Sequence, residues 1–350
     1  MSYTNIDDPS AYFQAEKYTS NGSAASVTNG GNSDLQPDIV WSKYLGGTAS
    51  WEAWDSTRGV NSTLFLTASE AQDTAANRIV SFDSDGWSYG TGGNHVTSGD
   101  YISYQWKANG GTTSSNTNGT ITSTVQADTT AGISVVKWTG GGSAGSVGHG
   151  LGQKPAWSIV KKYGAAQNWY VNHEGLNNTN GQYYLHVNFW EGVDTNVFSS
   201  APTATVLNLG SSTTQSDNYI AYCFAEKAGF SKFGRAYGNG LARGLYVPCG
   251  FKPKFVYWRN TTVNGDGAGW IFDTEREPNN NSLYKRIRVD STGAESTATD
   301  GGLVMEMRGN GFAVTDHTGR SWNYGDDGYI YCAFAENPFV TSGGAPTTAI

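Results

Sequence analysis

At 350 residues, 37% of them hydrophobic and 13% aromatic, the chain has enough apolar mass for two or three packed cores. A net charge of −8 with no basic run argues against a nucleic-acid partner, because neutralising phosphates takes a stripe of Lys and Arg. No stretch approaches the roughly 18 apolar residues of a membrane-spanning helix, and 46 glycines among abundant Thr, Val, Tyr and Trp predict an all-β chain.

The start, Met1 to Asp8, lacks the basic and apolar regions of a signal peptide, so synthesis in a cytoplasm without export is expected. Phe13-Gln14-Ala15-Glu16-Lys17-Tyr18 alternates as an opening strand, and Asn21-Gly22 closes it with a turn. Pro37 leads a second strand, Asp38 to Lys43, followed by the Trp-rich Trp51-Glu52-Ala53-Trp54-Asp55 and the alternating Leu64-Phe65-Leu66. Ser69 to Arg78, with Ser69 as cap, is the best candidate for a short helix, and Asp85-Gly86 signals a hairpin. Tyr101-Ile102-Ser103-Tyr104-Gln105-Trp106 then closes the unit as an aromatic strand.

The same order returns twice. Glycine turns at Gly140-Gly141-Gly142 and Asn239-Gly240 precede strands led by Pro155 and Pro253, and aromatic strands close at Phe224 and Phe334. A repeat near 100 residues is of domain size, and roughly six to eight short strands per copy suit a two-sheet sandwich. The expected organisation is three tandem β-sandwich modules at 1–111, 132–228 and 229–340. A Ser/Thr/Asn-rich linker with one strand spans 112–131, and an extended or disordered tail spans 341–350. With no linker between them, copies two and three are expected to form a rigid pair, and copy one to be more loosely attached.

Catalytic and metal sites are expected to be absent, and no cofactor is implied. Gly140, Gly142 and Gly145 fit a dinucleotide fingerprint and Gly141 to Gly145 fits G-x-S-x-G, yet both need a helix next, and Ser146 to Gly152 cannot form one. The pairs Asp55/Arg58 and Asp273/Arg276 read as turn aspartates with ion pairs of small worth. Copy two is expected to carry Asn172 and Gly175 in their place. His95, His149, His173, His186 and His317 lack metal-ligand spacing, and Asp83/Asp85 and Asp326/Asp327 read as solvated turns. Three cysteines, Cys223 in copy two and Cys249 and Cys332 in copy three, are an odd count that does not read as a disulfide framework and predict free thiols, with Cys223 and Cys332 on opposite strand faces. A polysaccharide-cleaving enzyme would need two facing carboxylates, which the sequence does not place. Twelve tryptophans and twenty tyrosines exceed what three small cores need, and Trp51, Trp190, Trp322 and Tyr324 are candidates for sugar stacking or for a subunit interface.

Three phrases carry a resemblance. They are His149 to Pro155 leading into Ile159-Val160-Lys161, Tyr219 to Glu226 leading into Gly229 to Gly234, and the ending Phe334-Ala335-Glu336-Asn337-Pro338-Phe339-Val340. With the start Ile6 to Gln14, they resemble the repeated modules of virion structural proteins of marine tailed bacteriophages. Copies one and three depart from the pattern at the His149 turn, with Asn29 to Gln36 and Pro248 to Lys252. The resemblance implies lectin-like (jelly-roll) sandwiches and a virion location. It also implies a tail-fibre protein that attaches to host-surface carbohydrate, or a capsid-decorating or tail-scaffold protein. Other virion proteins are then partners, and by analogy with fibres the chain is a homo-oligomer, a trimer if it is a fibre.

Overall fold

The computed structural model describes residues 4–178, 181–185, 191–241, 244–262, 267–278, 282–298, 304–315 and 323–347. The described chain is all-β, with antiparallel sheets and three short 3-10 turns, and it holds no α-helix among these residues. In every copy the closing strand is central, hydrogen-bonded on one side to the opening strand and on the other to the proline-led strand. In copy one these are Gly99–Trp106, Phe13–Ser20 and Ile39–Tyr44, and in copy two Asn218–Phe224, Ile133–Thr139 and Trp157–Lys162. In copy three they are Gly328–Pro338, Ser231–Tyr237 and Phe251–Asn260.

Alternation along these strands aims two apolar faces in opposite directions. One face packs on a smaller sheet of the same copy. In copy one Val40 and Trp54 meet Val27, Ile79, Trp87 and Tyr89 of the sheet built from Ala25–Val27, Gly86–Tyr89 and Ile79–Asp83. The smaller sheets need glycine at their hairpins. A Cβ on Gly86 (φ 106°) would lie 1.9 Å from the Val27 carbonyl oxygen, and one on Gly311 (φ 147°) 2.1 Å from that of Val247.

The other faces of all three large sheets meet in one shared core. Its centre is a triangle of equivalent rings from the three closing strands. Trp106 lies 5.9 Å from Phe224, Phe224 5.7 Å from Phe334, and Phe334 5.8 Å from Trp106, at interplanar angles of 63°, 70° and 67°. Near-equal distances and angles make this point an approximate threefold centre. Copy one is therefore not loosely held; its closing strand contributes one corner of the triangle.

Two other expectations change for the same reason. The 69–78 segment is extended rather than helical, since Asp73 pairs with Thr63, while Gln72 donates to the Tyr163 carbonyl and Gln167 to that of Ser69. Contacts with copy two outweigh the local Ser69 cap. The 112–131 segment supplies two strands, Ser114–Asn116 and Ser123–Asp128, and the second extends copy two's sheet along its opening strand.

The seams between copies form a cycle. Between copies two and one, the Tyr222 hydroxyl donates to Asp55 Oδ2 at 2.8 Å, and Arg58 Nε donates to the same oxygen at 2.6 Å. Between one and three, Tyr104 donates to Asp273 Oδ2 at 2.6 Å, which also accepts from Arg276 Nε at 2.6 Å. Strand pairing places His173 opposite Trp157 as Asp55 is opposite Ile39 and Asp273 opposite Phe255. His173 and Leu176 thus hold the Asp and Arg positions of copy two, one residue later than the sequence reading put them, and Cys332 holds the Tyr position. Gly175 N–H donates to His173 Nδ1 at 2.9 Å, which leaves the proton on Nε2 to bond the Tyr331 carbonyl at 3.1 Å. Asp55 and Asp273 are turn aspartates, accepting the Arg58 and Arg276 N–H groups at 2.8 and 2.9 Å, but all four side chains are almost wholly buried, so their ion pairs are not the exposed kind of small worth.

Buried cations recur at one register, Lys43, Lys161 and Arg259 opposite Ile102, Ile220 and Ile330. Lys161 donates to the Ser69 carbonyl at 2.8 Å and to that of Gln167 at 2.5 Å, and burial pushes its ammonium down to about 7; burial takes Lys43 to about 8. Between pH 7 and 9 the unfolded chain keeps the lysine proton that the fold has released, so this group adds stability as pH rises. Lys161→Met is expected to flatten that rise relative to the wild-type chain in urea titrations at pH 7, 8 and 9. An identical pH slope in both proteins would show that Lys161 stays protonated in the fold.

Candidate functional site

The four aromatics singled out in the sequence have different fates. Trp51, expected on the surface, is fully buried in the seam with copy three, where its indole donates to the Arg288 carbonyl at 2.8 Å and stacks near Tyr104 at 6.0 Å. It has no face left for a sugar. Its counterpart Trp169 does the same toward copy one, donating to the Phe65 carbonyl at 2.9 Å. Trp190 and Trp322 lie outside the described residues, as do His186 and His317. Tyr324 is 49% exposed and stands in a patch that the sequence reading missed.

That patch is built on the glycine turn of copy three. Ser231–Tyr237 ends beside Gly328, and the chain reverses at Gly240 with φ 66°. Asn239 N–H donates to Asn323 Oδ1 at 2.9 Å, and Asn323 Nδ2 returns bonds to Asn239 Oδ1 at 2.6 Å and to the Leu241 carbonyl at 2.8 Å. The Gly240 N–H donates to the Asn323 carbonyl, and Tyr324 N–H to the Tyr329 hydroxyl. Turn and loop are thereby fixed to each other. On this support Tyr237 (59% exposed), Leu241 (61%) and Tyr324 present their side chains to solvent. The Arg235 guanidinium lies 5.2 Å from the centre of the Tyr237 ring, giving the ring a positive neighbour.

Comparison of copies was the signal that could have found it. Strand pairing makes Thr19 and Thr139 the counterparts of Tyr237, and Ser23 and Ser143 those of Leu241. Only copy three replaces small polar residues with large apolar ones there.

Other candidate chemistry is enclosed. His95, His149 and His173 are buried, and burial lowers all three, His95 and His173 to about 3. The three cysteines are free and buried, with Cys223 in copy two's own core and Cys332 in the shared core, the opposite faces that their offset predicts. After the glycine run of copy two comes the strand Gly145–Gly148, not a helix. Asp83 accepts from Ser88, and Asp327 from Asn260. Among the described residues no group of three or more His, Cys, Asp or Glu is placed to hold a metal ion.

One family model, a domain of unknown function (DUF7483), matches residues 8–338. The chain belongs to this family. The match runs through all three copies. No curated protein matches the sequence. Within the described residues no helix is long and apolar enough to cross a membrane.

Proposed function

We propose that this member of the family is a non-enzymatic virion protein of a tailed bacteriophage, with three lectin-like β-sandwich modules, that attaches to host-surface carbohydrate through the copy-three patch. The observation that carries the reading is the trio Tyr237, Leu241 and Tyr324 on a turn that the buried Asn323 amide braces, beside the exposed Asn239 amide. A pyranose offers an apolar C–H face to an aromatic ring and hydroxyls to amide groups, so both kinds of contact are at hand. The virion assignment is supported by the phrases at His149 to Pro155, Tyr219 to Glu226 and Phe334 to Val340.

Tyr237→Ala and Tyr324→Ala are each expected to weaken binding of the isolated protein to host cells about three- to tenfold, the worth of one aromatic contact, with no change in melting temperature. Full binding by the double variant would overturn the glycan reading. The approximate threefold centre favours a second reading, a capsid-decorating or tail-scaffold protein in which one chain seats on a threefold position. Electron microscopy of intact particles separates the two, because a copy-three turn covered by the head lattice is incompatible with receptor attachment.

A further inference from the structure

The threefold arrangement exposes a difference between seams that no single copy shows. In copy two the strand Ser123–Asp128 lies along the outer edge of the opening strand, pairing Thr124 with Lys137, Gln126 with Val135 and Asp128 with Ile133. It is wedged between Gly150 of its own copy and a wall of copy one. A Cβ on Gly150 would sit 2.9 Å from Val125 Cγ1, while Gln126 Nε2 donates to Ser56 Oγ at 2.8 Å and Thr57 Oγ1 at 2.6 Å.

At the seam between copies one and three the corresponding place is an open groove of about 310 Å³. Its floor is Phe13 to Glu16, equivalent to Ile133 to Val136. Gly30 and Gly31 form one wall, and Lys254, Glu275 and Ala335 to Asn337 the other. By strand register Glu275 corresponds to Thr57, the residue that Gln126 touches in the filled seam. The edge itself is poised for pairing. Lys107 N–H donates to the Tyr12 carbonyl at 3.0 Å, so by antiparallel alternation the N–H and C=O groups of Phe13, Ala15 and Lys17 point away from the closing strand, those of Phe13 and Ala15 toward the groove and those of Lys17 along the same edge just beyond it. The third seam is closed differently, because Gly175 of copy two runs against the copy-three edge, where a Cβ would lie 2.5 Å from the Gly234 oxygen.

We propose that the copy-one groove receives an extended segment of a partner protein, added antiparallel to Phe13–Ser20 as Ser123–Asp128 is added to Ile133–Thr139, with a lysine or arginine of the partner facing Glu275. Main-chain bonds to an open sheet edge supply affinity in this mode, and alternate side chains supply selectivity. The lining favours a basic strand: Lys254 pairs with Glu275 at 2.7 Å and Lys252 with Glu336 at 3.1 Å, while Asp8 and Glu16 make no ion pair among the described residues, so the groove keeps a negative excess. Burial, partly offset by the Gly30 N–H, and the nearby Glu275 charge raise the Glu16 carboxyl, and a partner cation would relieve both. The proposal does not depend on the glycan reading.

The test uses the full chain and a synthetic peptide of residues 121–130 carrying Gln126→Lys. The peptide is expected to bind and to slow amide exchange at Ala15 and Lys17. Lys17→Pro removes an outward N–H that the fold does not use, and an edge strand tolerates it; it should lower peptide affinity at least tenfold. Glu275→Lys should weaken the Gln126→Lys peptide about tenfold and favour a Gln126→Glu peptide instead, and this variant decides the matter if Lys17→Pro does not fold. No binding at millimolar peptide, or binding indifferent to Glu275→Lys, would overturn the proposal.

Discussion

Asp273→Ala is expected to destabilise the whole chain by about 3–5 kcal/mol, the cost of removing one partner of a buried ion pair. Asp273 Oδ1 accepts the Arg276 N–H at 2.9 Å, and Oδ2 takes both Arg276 Nε and the Tyr104 hydroxyl. The alanine variant strands a guanidinium whose side chain is fully buried, leaving it Glu295 at 3.0 Å and the Ile271 carbonyl at 3.0 Å. It also orphans a tyrosine hydroxyl of copy one. The third seam shows a less polar way to fill this place, with Cys332, His173 and Leu176 where the others have Tyr, Asp and Arg. Importing that set, as Tyr104→Cys, Asp273→His and Arg276→Leu together, should therefore recover much of what Asp273→Ala loses. Urea midpoints of the two variants decide it. A loss below about 1 kcal/mol for Asp273→Ala would mean the pair behaves like an exposed one.

The strands themselves were legible because their signals are local. Alternation in Phe13 to Tyr18, the Asp85-Gly86 hairpin and the proline-led starts all needed only neighbouring residues. What could not be read was the joining of the copies. Trp51 looks like a loop tryptophan in sequence, and only the Arg288 carbonyl, 237 residues away, explains it. Nothing in the neighbouring residues marks Lys43 and Lys161 as buried, because the carbonyls that hold them belong partly to another copy. The same gap produced the misplaced helix at 69–78. For the candidate site, Tyr324 was visible as an aromatic among polar residues. Tyr237 sits inside the repeated turn motif, where the likeness of the three backbones masks the one large side chain. Where copies share a backbone, the exceptional side chain at a shared position is the informative one.

Phe334→Ala should reveal whether the copies fold as one unit. The Phe334 ring lies within 6.0 Å of six others: Phe13 and Trp106 of copy one, Phe224 of copy two, and Phe230, Phe233 and Phe255 of its own copy. Truncation opens a cavity at the threefold centre that no single sheet can close by shifting, and a buried Phe→Ala change costs about 3–5 kcal/mol. Because the rings around it come from three copies, the loss belongs to all of them. Amide exchange should therefore accelerate in the closing strands Gly99–Trp106 and Asn218–Phe224 as well as in Gly328–Pro338, with a single thermal transition at lower temperature. Trp87→Ala provides the contrast. That side chain is also fully buried, but it packs in copy one's own core with Val40, Trp54 and Tyr89, so exchange should quicken first in copy one. If Phe334→Ala loosened copy three alone and left the other two closing strands protected, the shared core would be a contact between finished domains, not the element that makes three repeats one fold.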